Sequence, residues 1–117
     1  MFDPKKPTVQ LLGRWQPWHE GHTALFKKAF DKTGQVVILI RNMPVDENNP
    51  YSGGQVAERM QEALSREGFV FKHHYDIISV PNIIDITYGR DVGYTISEEK
   101  LAPEIEAISA TKIRENA

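Results

Sequence analysis

The chain has 117 residues, 14 Lys plus Arg against 16 Asp plus Glu, and no cysteine. That length is one domain by the usual prior, read here as a single compact domain over residues 1–117. The formal charge of −2 gives no global pull toward nucleic acid or an anionic membrane, so neither is expected as a partner. The missing thiols exclude disulfides, thiolate catalysis and zinc–sulfur sites, and they fit a reducing cytoplasm. No apolar run is long enough to cross a bilayer, and Met1–Pro7 is not followed by an apolar stretch of signal-peptide length.

Thr8-Val9-Gln10-Leu11-Leu12 is a β-branched, apolar run that ends at Gly13 and predicts a first strand. Glu20 or Gly21 through Lys32 predicts a helix. Leu25, Phe26, Ala29 and Phe30 form its apolar stripe, and Gly34 is placed to close it. Gln35–Arg41 holds five consecutive apolar residues, which predicts a strand buried on both faces of a parallel sheet. Residues 42–54 are rich in turn formers. A second helix is expected from about Gly54 to Glu67, with Val56, Met60, Ala63 and Leu64 on its buried stripe.

A third strand is expected between Phe69 and Pro81, centred on Asp76–Val80. Ile83–Tyr88 reads as a fourth strand and Tyr94–Ser97 as a short fifth. A last helical turn begins near Ser109. His73 and His74 read as surface residues. Strands alternating with helices point to an α/β fold, a parallel sheet with flanking helices. In such sheets ligands bind beyond the carboxyl ends of the strands.

The segment Gly13-Arg14-Trp15-Gln16-Pro17-Trp18-His19-Glu20-Gly21-His22 lies where that rule places a ligand. Gly13 allows a sharp exit from the strand, and Pro17 fixes the backbone. With a helix starting at Glu20, His19 and His22 face one space above its N-terminus. Gly21 removes a side chain there, and the first-turn N–H groups and helix dipole favour an anion. Two imidazoles and the forked cation of Arg14 suit a phosphate. A metal reading is weaker, because no third ligand is evident and the spacing is one residue short of the His-Glu-x-x-His pattern.

The segment Ile108-Ser109-Ala110-Thr111-Lys112-Ile113-Arg114 makes a second candidate cradle. Ser109 is an N-cap residue, with Ile108 and Ile113 at the hydrophobic-staple positions. Lys112 and Arg114 would oppose the helix dipole unless an anion sits there. Trp15, Asn42, Arg59 and Arg90 are candidates for a base or acceptor pocket.

Together the two segments resemble the GRxQPxHxGH and ISxTxxR signatures of the HxGH nucleotidyltransferases. A weaker echo lies in Asn49-Pro50-Tyr51-Ser52 and Arg59-Met60, which resemble adenylyltransferase members. The resemblance implies a Rossmann-like fold and a nucleoside triphosphate carrying Mg²⁺ on its phosphates, with no dedicated protein ligand for the metal. It implies His19, His22 and Arg14 at the reacting phosphate. Gly13, Gly21, Ser109, Thr111, Lys112 and Arg114 would line the nucleotide phosphates. It implies transfer of AMP or CMP to a small phosphate-bearing acceptor, and it makes a homodimer plausible. The Gln-Pro form of the first motif leans toward enzymes that adenylylate nicotinamide mononucleotide. The Ser-Ala-Thr-Lys-Ile-Arg ending resembles compact cytidylyltransferases acting on alcohol phosphates. A non-catalytic NTP-binding module is the alternative.

Overall fold

The computed structural model describes residues 1–90 and 93–99. In chain order they form β1 (Val9–Gly13), α1 (Glu20–Thr33), β2 (Val36–Arg41), α2 (Gly53–Arg66) and β3 (Tyr75–Val80). The sheet order is β1-β2-β3 and both pairings are parallel. Val9 is in register with Val36, and Val36 with Tyr75. This is the expected α/β, Rossmann-like arrangement.

Two successive crossovers step the same way across the sheet, so right-handed connections place α1 and α2 on one face. The core matches that geometry. Phe26 and Ala29 of α1 and Val56, Met60 and Leu64 of α2 join Leu11, Val36, Ile38, Ile40 and Tyr75 in one buried cluster. Each large aliphatic buried this way contributes about 1.5–3 kcal/mol.

The caps explain where the helices begin and end. Gly34 takes a left-handed φ of 81° and its N–H bonds back to the Phe30 carbonyl, stopping α1. Ser52 and Gln55 make a reciprocal capping box at the start of α2. Gln35, only 5% exposed, ties down the N-terminal segment. Its amide nitrogen donates to the Asp3 carbonyl at 2.7 Å and to Thr8 Oγ1 at 2.6 Å, and its oxygen accepts from the Asp3 N–H at 3.1 Å.

Several expectations are corrected. β2 is not fully buried on both faces: Val36, Ile38 and Ile40 are buried, but Val37, Leu39 and Arg41 are half-buried. Both described helices pack on the first set, which leaves the second less covered. Ile83–Tyr88 and Tyr94–Ser97 form no strand. Their apolar residues are largely exposed, Ile84 at 87% and Ile96 at 65%, so periodicity there does not report a sheet partner. His74 is half-buried rather than on the surface. It sits in the turn before β3, accepts the Val70 N–H on Nδ1 at 2.8 Å and packs edge-on against Phe30 and Phe69. The helical turn expected from Ser109 lies outside the described residues. Among those described, no helix is long and apolar enough to cross a membrane.

Candidate active site

The first motif fills the space between the carboxyl end of β1 and the start of α1. Trp15 adopts a left-handed φ of 55°, which folds its indole back over the end of the strand. The indole is 6% exposed, and its Nε1 donates to the Leu39 carbonyl at 3.0 Å. Gly13 is required by this close approach rather than by a left-handed turn. A Cβ there would lie 2.9 Å from two atoms of the Trp15 ring.

Trp18, 2% exposed, packs against Trp15 with centroids 5.1 Å apart and donates to Thr23 Oγ1 at 2.9 Å. The two indoles wall in His22, Trp15 edge-on at 4.8 Å and Trp18 tilted at 5.3 Å. Trp15, a pocket candidate from sequence, is thus a buried wall behind the histidines.

His19 is the N-cap of α1, and the two histidines form a reciprocal capping box. His19 Nδ1 accepts the Gly21 N–H at 3.0 Å, and His22 Nδ1 accepts the His19 N–H at 3.1 Å. Their rings stack with centroids 3.7 Å apart and planes 22° from parallel. An Nδ1 that accepts from a backbone N–H carries no proton, so each neutral ring holds its proton on Nε2. The cap therefore sets the tautomer and leaves two Nε2–H donors side by side.

Neutrality follows from the surroundings. Burial pushes the His22 pKa down to about 3, with further lowering from His19. Burial also lowers the His19 pKa, against a smaller raising effect from Glu20. The helix terminus is less open than the sequence implies. Gly21 N–H is committed to His19, and the His22 and Thr23 N–H groups bond the His19 carbonyl at 2.9 and 3.1 Å. The donors available to a ligand are the imidazoles more than the backbone.

Arg14 is exposed and its Nη1 donates to Asn49 Oδ1 at 3.2 Å. Gln16, 6% exposed, grips the backbone of Tyr51 from both sides. Its Nε2 donates to the Tyr51 carbonyl at 2.8 Å and its Oε1 accepts the Tyr51 N–H at 2.9 Å. These contacts fasten the loop before α2 to the first motif. In the sequence Gln16 and Asn49 stand out only as parts of the Gln-Pro and Asn-Pro resemblances, and these contacts give them a structural role. An amide followed by proline in each segment (Gln16-Pro17, Asn49-Pro50) is the available signal.

The remaining candidates are more scattered. A cleft of about 1090 Å³ opens beside His19 between α1 and α2, with Trp18, Lys27, Arg59 and Arg66 among its walls. Asn42, just past β2, is occupied by β3: its Nδ2 donates to Ser79 Oγ at 2.8 Å and to the Val80 carbonyl at 2.7 Å. Arg90 is exposed in the segment after β3. Ser109, Thr111, Lys112 and Arg114 lie outside the described residues. Among those described, no group of three His, Asp or Glu side chains is arranged to hold a metal.

No protein-family model matches the chain. It is similar to the nicotinamide-nucleotide adenylyltransferase of Pyrococcus furiosus, 32% identical over 75 residues, which cover 62% of this chain and 40% of that protein. It is also 32% identical over 74 residues to the nicotinamide-nucleotide adenylyltransferase of Ignicoccus hospitalis, covering 62% and 43%. With the nicotinamide-nucleotide adenylyltransferase of Methanococcus maripaludis it shares 28% identity over 102 residues, covering 84% and 53%. The chain spans about half the length of the curated relatives it matches.

Proposed function

We propose that this chain, a member of the nucleotidyltransferase superfamily to which those relatives belong, is an adenylyltransferase that moves AMP from ATP to nicotinamide mononucleotide and releases pyrophosphate. The observation that carries the reaction class is the pair of stacked, neutral imidazoles at the α1 cap, each with Nδ1 accepting from backbone and its proton on Nε2. Adenylyl rather than cytidylyl transfer is supported by the names of the relatives.

An acceptor that is already a phosphate needs no covalent nucleophile from the protein. Its oxygen attacks the α-phosphorus in line, the bond to the bridging oxygen breaks, and pyrophosphate leaves. Catalysis is then positioning plus stabilisation of charge on the phosphoryl oxygens. His19 and His22 donate Nε2–H to those oxygens from fixed rings, and Arg14 adds a permanent cation. Ser109, Thr111, Lys112 and Arg114 are assigned to the β- and γ-phosphates on the second motif. Gly21 lies between the two histidines on the first turn, and Gly13 acts behind them by admitting the Trp15 indole that walls in His22. Mg²⁺ would arrive on the nucleotide, held by phosphate oxygens. His19, His22 and Arg14 fit that arrangement because they offer N–H donors rather than oxygen ligands. The one carboxylate of the motif, Glu20, belongs to no group of three His, Asp or Glu side chains arranged to hold a metal among the described residues. Bound to the phosphates, the ion would supply charge neutralisation on the leaving pyrophosphate.

The reaction is tested by pyrophosphate release with Mg²⁺, offering ATP and CTP separately against nicotinamide mononucleotide and glycerol phosphate. Release with ATP and nicotinamide mononucleotide is expected. Release only with CTP and an alcohol phosphate would move the assignment to cytidylyl transfer. Nucleotide binding by thermal shift with no release from any pair would favour the binding-module reading.

A further inference from the structure

Arg14 is the exposed cation of the first motif, yet one of its nitrogens is already held. Nη1 donates to Asn49 Oδ1 at 3.2 Å across 35 residues of sequence. Asn49 is 3% exposed, and a buried amide requires partners at both ends. Its Nδ2 donates to Asp46 Oδ1 at 3.2 Å. The same carboxylate oxygen accepts the backbone N–H of Asn49 at 2.8 Å and of Asn48 at 2.9 Å. A carboxylate only accepts and a guanidinium only donates, so chemistry fixes which way the Asn49 amide faces. Its nitrogen must meet Asp46 and its oxygen must meet Arg14.

The backbone of the loop reinforces this. Asp46 and Asn49 exchange N–H to carbonyl bonds at 3.1 and 3.3 Å, closing the turn that carries Asn49. Two residues on, Gln16 clasps Tyr51, again across 35 residues. Alternate residues of the motif thus engage alternate residues of the loop. Side chains extend the pairing past Gly13 and Ile40, where the β1–β2 ladder ends.

We infer that Asn49 is a positioning residue for Arg14 in phosphate binding, with Asp46 fixing the Asn49 amide. The inference rests on the nucleotidyl-transfer reading, because it assigns Arg14 an anion to hold. A long, solvated arginine loses rotamer freedom when it grips a phosphate. Anchoring Nη1 beforehand removes part of that loss, and it leaves Nε and Nη2 with no other hydrogen bond among the described residues.

The test has two readouts on the full chain. In the ligand-free protein, ¹⁵N NMR of the guanidinium groups measures rotation about the Nε–Cζ bond. Arg14 is expected to rotate more slowly than the exposed Arg59, and Asn49→Ala to abolish the difference. Equal rotation in the unmodified protein overturns the proposal without need of any variant. The second readout is calorimetric titration with MgATP. Asn49→Ala should weaken binding about tenfold in the parent, but by less than about twofold when Arg14 is already Ala. A full tenfold loss in the Arg14→Ala background would show that Asn49 acts on the fold and not through Arg14. Slow Arg14 rotation in a protein that binds no MgATP would remove the nucleotide reading and leave the contact purely structural, which also overturns the positioning role.

Discussion

His22 shows how one residue ties the local fold to the chemistry. Its Nδ1 closes the cap of α1, its ring is packed between two indoles and His19, and its proton is on Nε2, the atom we propose as the phosphate donor. Burial holds its folded pKa at about 3, against an unperturbed 6.5. The unfolded chain therefore binds a proton that the folded chain refuses as pH falls below about 6.5. The stabilisation present above that pH is lost progressively toward pH 3. Urea unfolding at pH 7 and pH 5 should show a drop in midpoint for the parent protein and a smaller drop for His22→Gln. Glutamine preserves the reciprocal cap without titrating. Equal drops would remove His22 as the source. Gly13 makes a second residue-scale case. Gly13→Ala pushes a methyl group into the Trp15 indole and should destabilise by about 1–3 kcal/mol, read as a lowered Tm. An unchanged Tm would mean the indole moves aside freely.

At the scale of elements, the coupling of the loop before α2 to the first motif is the main structural finding. Gln16 satisfies both backbone groups of Tyr51, so Gln16→Leu leaves a half-buried donor and acceptor without partners. We expect a loss of about 1–3 kcal/mol and faster amide exchange at Tyr51, with exchange in α1 little changed. Uniform acceleration across the chain would mean that Gln16 holds the whole fold rather than the loop. The elements themselves were well marked in the sequence where packing is periodic. The stripe of α2 at Val56, Met60 and Leu64 and the stop at Gly34 are both where the pattern puts them. The pattern misled at Ile83–Tyr88, because alternation describes only what a strand would bury and not whether a neighbouring strand is present. The His19–His22 pair was legible from spacing and the helix start. The capping box that orients it was not, because histidine is not among the usual cap residues. The Arg14–Asn49 and Gln16–Tyr51 contacts close over 35 residues, beyond the reach of any local pattern.

At the scale of the molecule, three parallel strands with two helices on one face bring the first motif and the loop at Asp46–Tyr51 to one end of the sheet, and the α1–α2 cleft runs from His19 there along the helices to Glu67 at the far end of α2. The carboxyl ends of the strands face that end, where an open α/β sheet binds its ligand. In the proposed reaction the two capped imidazoles act on phosphate as neutral Nε2–H donors. His19→Ala confounds this with the cap, whose loss costs about 0.5–2 kcal/mol. His19→Asn separates the two, since asparagine is among the best N-cap residues but carries no imidazole. The decisive measurement is pyrophosphate release from MgATP and nicotinamide mononucleotide by the parent protein and His19→Asn side by side, with Tm recorded for both. Release by the parent is expected, with the variant within a few degrees in Tm and its rate reduced by about 10²-fold or more. A folded His19→Asn that releases pyrophosphate at the parental rate would contradict the donor role.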